Sequence, residues 1–202
     1  MILDSLGSTD YYIPVHLALY AGLRRGEVLG LRWSDIETEG RTLSINRTLL
    51  LVNGQAVWEQ PKSERSRRVI AIPQVTALTL RSHRERIEHE YADRGVRFDP
   101  DGQVCARPDG RLMKPFTLSH AFKRTARRLG LGEFRFHDLR HTHASLLLSV
   151  GTPPHVVQSR LGHQTSQITL DIYGHVLPQS DVDAGATIAD LIDVGRMWAD
   201  EE

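Results

Sequence analysis

Six side chains in this 202-residue chain have the type and setting to do chemistry, and they fall in five short segments. In Gly22-Leu23-Arg24-Arg25-Gly26-Glu27, a glycine lets the backbone turn and Arg24 projects beside a helix start. Glu27, three residues on, can reach back to the guanidinium. Taken alone, such a pair is more often a surface salt bridge. In Pro61-Lys62-Ser63-Glu64, a lysine on an expected β-turn can swing into a site and donate a proton; an isolated loop lysine is more often simply solvated. The chain uses 22 Arg and only 3 Lys, so a lysine here suggests that its lower pKa is wanted. In His137-Asp138-Leu139-Arg140, His137 and Arg140 share a helix face and can hold one phosphate group from two sides. The plainer reading is a capping Asp138 with incidental neighbours. His137 and His141 also stand four apart, as zinc ligands on a helix do. The metalloprotease pattern has Glu directly after the first His, whereas Asp138 stands here, and no third ligand follows at a fixed spacing. No metal is therefore expected. His163 in Leu161-Gly162-His163 and Tyr173 in Asp171-Ile172-Tyr173-Gly174-His175, taken singly, read as a polar cap and an ordinary core or surface tyrosine.

The elements that must position these groups are mostly helical. Helices are expected over Tyr12–Ala21, Arg25–Trp33, Gln74–Arg94, Thr117–Leu129, Leu139–Val150 and from Pro153 to Leu161, with Thr152 as its cap. Ser34-Asp35 reads as a turn, Gly130, Gly151 and Gly162 read as helix stops, and a further helix is expected over Ile168–Tyr173. β character is confined to Thr42–Val52, Gln55–Glu59 and Arg68–Ile72. The first two are joined at Asn53-Gly54, the strongest short hairpin signal. The expected fold is mainly α with a small three-stranded antiparallel sheet (α+β), in a single domain over 1–202. Its body is 1–178, and 179–202 is an acidic C-terminal segment. Ile188, Leu191, Ile192 and Trp198 there form a rough helical stripe that can dock in cis or on a neighbouring protomer.

Composition narrows the class. Forty per cent apolar and 25% charged residues are globular values, and the apolar runs are far too short to span a membrane. One cysteine, Cys105, excludes an intrachain disulfide. With no signal-peptide pattern at Met1–Asp10, a reducing cytoplasm is expected. The formal net charge of +0 hides a split: 24 basic against 17 acidic residues up to position 170, then one basic against eight acidic.

Together and in this order, GLRRGE at 22–27, PKSERSRR at 61–68, HDLRHTHAS at 137–145 and LGHQTSQITLDIYGHV at 161–176 resemble the tyrosine recombinase (phage integrase) family. Seven family positions hold the expected residue types, and the resemblance runs from about Tyr12 to Val176. It implies a tyrosine-recombinase catalytic-domain fold and catalytic roles for Arg24, Lys62, His137, Arg140, His163 and Tyr173, with Glu27 supporting Arg24. The implied reaction is metal-independent cleavage and rejoining of DNA through a 3′-phosphotyrosine, with no cofactor. The implied partners are double-stranded DNA and other protomers in a DNA-bound tetramer, with a monomer in the absence of DNA. The implied setting is the cytoplasm of a bacterial or phage-infected cell. Beside the site, Arg25, Arg65, Arg67, Arg68, Lys123, Arg124, Arg127 and Arg128 are expected to contact DNA backbone. Family members usually carry an N-terminal core-binding domain. The chain is expected to begin at the catalytic domain, as an excised domain or a truncated product. Two alternatives stay open: type IB topoisomerase-like relaxation, and a DNA-binding remnant inactive without that domain.

Overall fold

Helix α2 (Tyr12–Tyr20) is apolar around most of its circumference, and a helix of that kind has to sit inside. Val15, Leu17 and Ala18 are fully buried. The computed structural model describes residues 2–7, 9–39, 41–59, 67–107 and 109–162. Around α2 pack α1 (Ile2–Leu6), α3 (Arg25–Gly30), α4 (Gln74–Asp93) and α6 (Asp138–Ser149). Helix α5 (Pro115–Arg128) adds Leu118, Phe122 and Ala126 to the same core, where Phe122 meets Phe136 edge-on at 5.6 Å. Helix α7 (Pro154–Leu161) lies on α6 through a smaller cluster of Ala144, Val157 and Leu161. The expected helix over Ile168–Tyr173 and the acidic segment 179–202 lie outside the described residues.

The expected mainly helical fold with a small antiparallel sheet is observed, but the strands pair differently. The stretch Thr42–Val52 breaks into β2 (Thr42–Ile45) and β3 (Thr48–Val52). The break falls at Asn46 and Arg47, and both turn to Asp35: Asn46 Nδ2 donates to Asp35 Oδ1 at 3.0 Å, and Arg47 pairs with it at 3.6 Å. The three-stranded sheet therefore runs β1 (Ile36–Glu37), β2, β5 (Arg68–Ala71), while β3 and β4 (Gln55–Glu59) form a separate hairpin. Asn53 and Gly54 both have positive φ, 52° and 79°, as a two-residue type I′ turn requires. The α3 helix also ends earlier than expected. Trp33–Asp35 forms a 3-10 turn, because the Trp33 and Ser34 amides donate to the carbonyls of Gly102 and Pro100 instead of continuing the helix. Thr152 does not cap α7: its amide donates to Leu147 O at the end of α6.

Register fixes which side chains of β5 face inward. Leu43 pairs with Ile70 and Ile45 with Arg68. Leu43, Ile45 and Ile70 are buried, so alternation puts Arg68 on the core side while Val69 faces solvent.

Three buried histidines, His16, His83 and His143, lie on α2, α4 and α6. Burial lowers each to a pKa of about 4. His83 is held as a neutral ring, donating from Nε2 to Val104 O at 2.9 Å and accepting at Nδ1 from Arg86 at 3.0 Å. A folded-state value below the unfolded value of 6.5 means the stabilisation is complete above pH 6.5 and is lost as pH falls toward 4. Unfolding free energies from urea denaturation across that window are expected to fall, by about 3 kcal/mol per histidine at most. A flat profile contradicts the burial of these rings as neutral groups.

Candidate active site

The site is built on one buried carboxylate. Arg24 precedes α3 in an extended conformation, and its backbone amide donates to Glu27 Oε2 at 2.8 Å while its Nη1 donates to Oε1 at 2.9 Å. Glu27 is only 5% exposed. Arg68 of β5 forks onto the same carboxylate, Nη1 to Oε1 at 3.0 Å and Nη2 to Oε2 at 2.9 Å. Arg140 of α6 approaches it at 3.9 Å. Burial by itself pushes the Glu27 carboxyl up, but the hydrogen bonds and charge of Arg68, with the charge of Arg24, outweigh it and hold the group at about 2. Three guanidiniums against one carboxylate leave a positive excess suited to an anion.

Backbone carbonyls complete the cluster. Arg140 donates from Nη1 to Gly22 O and from Nη2 to Leu161 O, both at 2.6 Å, and its side chain is 3% exposed. Arg24 donates from Nη2 to Gly162 O at 3.1 Å and is 38% exposed, the most open of the three. Gly22 has φ +67, and a Cβ there would come within 2.7 Å of His143 and 2.8 Å of Leu161. Only glycine brings its carbonyl to Arg140 without displacing those two side chains.

His137 directly precedes α6 and is exposed, with its ring edge-on to His141 at 4.8 Å. Desolvation, then the charges of His141 and Arg140, lower its pKa from the ordinary imidazole value against the pull of Asp138. A neutral ring can accept a proton at neutral pH. His137 borders a cleft of 470 Å³ that Arg25, Ser119, His120 and Lys123 also line. No cluster of three metal-ligating side chains occurs among the described residues.

The structure thus brings Arg24, Glu27 and Arg140 together, with His137 at the start of the helix that carries Arg140. Lys62, Arg65, His163 and Tyr173 lie outside the described residues. Of the expected backbone contacts, Arg25, Arg67, Arg124, Arg127 and Arg128 are exposed, and Lys123 is half-buried. Arg25 donates to Ser119 Oγ at 2.7 Å, and Lys123 and Arg127 both pair with Glu133. Arg68 departs from that group: its side chain is 7% exposed and is engaged by Glu27. Its signal was the alternation of Arg68-Val69-Ile70, which sets Arg68 on the face of Ile70. The sequence reading also missed His143 and Arg160. His143 donates from Nδ1 to Leu19 O at 2.8 Å and accepts at Nε2 from Arg160 at 3.0 Å. Arg160 donates onward to Ala71 O at 2.9 Å, stapling α7 to β5.

The phage integrase family matches residues 3–180. A tyrosine recombinase XerC-like protein of Caldanaerobacter subterraneus subsp. tengcongensis is 33% identical over 187 residues, 87% of this chain and 48% of that protein. The ICEBs1 integrase of Bacillus subtilis is 29% identical over 87% of this chain and 48% of its own length. The chain thus spans about half the length of the curated relatives it matches. Among solved structures, the Tn1549 transposon integrase in complex with circular intermediate DNA superposes with a TM-score of 0.76. It is 21% identical, over 94% of this chain and 64% of that one.

Removing the carboxylate leaves Arg68 and Arg140 buried without their shared counter-charge. Glu27→Ala is expected to lower unfolding free energy by about 3–5 kcal/mol. Urea denaturation measures it, and a loss below about 1 kcal/mol would show that the carboxylate does not hold the cluster together.

Proposed function

The chain belongs to the phage integrase family, and we propose that it is the catalytic part of a site-specific DNA recombinase. The reaction is phosphoryl transfer: the Tyr173 oxygen attacks a scissile phosphorus, the P–O5′ bond breaks, and a 3′-phosphotyrosine and a free 5′-hydroxyl result. A second strand's 5′-hydroxyl reverses the step and joins new partners, with the phosphodiester energy conserved. The observation that carries this reading is the half-exposed Arg24 guanidinium, fixed by a buried carboxylate beside Arg140. Two permanent cations with forked donors are suited to the charge that develops on non-bridging phosphate oxygens.

The other roles follow from chemistry. A tyrosine of pKa near ~10 is a weak nucleophile and needs a proton acceptor. His137, neutral and exposed, fits that task or a phosphate contact. Lys62 is the general acid for the leaving 5′-oxygen, and His163 donates to a non-bridging oxygen. Each such proton transfer contributes about 10²–10⁴-fold. Arg25, Lys123, Arg124, Arg127 and Arg128 supply backbone contacts along and beside α5. The partners are double-stranded DNA and further protomers assembled on it. The acidic segment 179–202 is a docking element separate from the catalytic body 1–178. The described residues hold no helix long and apolar enough to cross a membrane, and the proposed setting is the cytoplasm of a bacterial or phage-infected cell.

Tyr173→Phe is expected to bind DNA and form no covalent adduct on a nicked duplex, read on a denaturing gel; a persistent adduct would reassign the nucleophile. EDTA is expected to leave wild-type cleavage unchanged, whereas zinc-restored activity would favour His137 and His141 as ligands. Arg124→Glu is expected to weaken binding to all sequences alike and to reduce the slope of log K against log salt by about 1. An unchanged slope removes Arg124 from the interface.

A further inference from the structure

The last carbonyls of an α-helix lack intrahelical partners and carry the negative end of its dipole. At the end of α7 three consecutive carbonyls each accept from a different arginine. Arg160 O accepts from Arg68 Nε at 2.7 Å, Leu161 O from Arg140 Nη2 at 2.6 Å, and Gly162 O from Arg24 Nη2 at 3.1 Å. These are the guanidiniums that surround Glu27. The end of α7 and the buried carboxylate are therefore two sides of one ionic layer, and the residue that follows this layer in the chain is His163.

Arg68 joins the two sides most completely. Its two Nη atoms take both oxygens of Glu27, and its Nε takes the α7 carbonyl. The fit is close enough to dictate a neighbour. Gly162 ends α7 at φ +64, and a Cβ there would stand 3.0 Å from Arg68 Nη1 and 3.3 Å from Cδ and Cζ. Any larger residue is strained by its own backbone and presses on the Arg68 fork. Lysine cannot replace the arginine: it keeps the charge but offers one point where three directed donors are needed.

We propose that Arg68 is a positioning residue for strand cleavage. It locks Glu27, and through Glu27 the guanidinium of Arg24, in fixed register with the end of α7, from which the chain continues to His163 and Tyr173. The role rests on the phosphoryl-transfer reading above. Arg68 does not touch the phosphate. Without its fork the Glu27 carboxylate keeps, among the described residues, Arg24 within hydrogen-bond reach and Arg140 at 3.9 Å, it loses its tie to β5, and the geometry offered to the phosphate loosens.

The test uses the whole chain and a pool of nicked duplexes tiling the DNA that flanks its gene. Single-turnover adduct formation and duplex retardation are measured separately. Arg68→Lys is expected to slow adduct formation by about 10–100-fold, the scale of a small misplacement of a reacting group, with duplex affinity nearly unchanged. In an Arg24→Lys background the same substitution is expected to add less than about threefold, because both act on one guanidinium. Gly162→Ala, which keeps every arginine and displaces the Arg68 fork, is expected to reproduce the slow adduct with affinity retained. Wild-type rates in Arg68→Lys or in folded Gly162→Ala overturn the proposal. So do effects of Arg68→Lys and Arg24→Lys that multiply, since a general loss of structure has that signature. A wild-type chain that forms no adduct on any duplex overturns the phosphoryl-transfer reading itself, and this role with it.

Discussion

A carboxylate taken out of water among three guanidiniums organises this molecule. Burying Glu27 costs desolvation energy that only close, directed partners can offset, and Arg68 and Arg24 provide them from two separate parts of the chain. The result is rigidity where flexible side chains would otherwise need ordering at each encounter with a ligand. Arginine holds a long side chain in one geometry only when its fork is met, and the forks here are met by a carboxylate and by backbone carbonyls. Preorganised cations of this kind are worth more to a developing charge than the same cations reorienting in solvent.

Each part of the fold can be understood by what it brings to that layer. The buried α2 ends so that the turn at Gly22 offers a carbonyl to Arg140. Helix α3 begins where Arg24 and Glu27 share one turn. The β2–β5 register turns Arg68 inward, and α7 ends where its carbonyls are needed. The His143 and Arg160 pair then ties α6, α7, α2 and β5 behind the site. Because the elements meet through charged hydrogen bonds as well as apolar contacts, their relative placement is more narrowly defined than hydrophobic packing alone would make it.

Local elements were readable in the chain wherever their cause was local. Helices α2 to α7 came out within a few residues, while α1 was not expected, and the Asn53-Gly54 turn came out because its positive φ values are a property of those two residues. The strand partners did not. Thr42–Val52 has continuous β character, and its division depends on Asp35, which lies outside the stretch, 11 residues before Asn46. The early end of α3 has the same origin, in carbonyls of a loop 66 and 69 residues further along the chain.

The same division holds for the site. The residue types and their order within short segments were enough to place the chain in its family and to single out Arg24, Glu27, His137 and Arg140, because the Arg24–Glu27 pair and the single turn from His137 to Arg140 are local facts. Arg68 was visible as a basic residue after a loop and read as a surface contact. What buries it is the pairing of β5 with β2, and what engages it is a carboxylate 41 residues earlier. The three-carbonyl seat at the end of α7 has no side-chain signature at all, because backbone acceptors belong to every residue and only tertiary structure decides which of them meets a guanidinium.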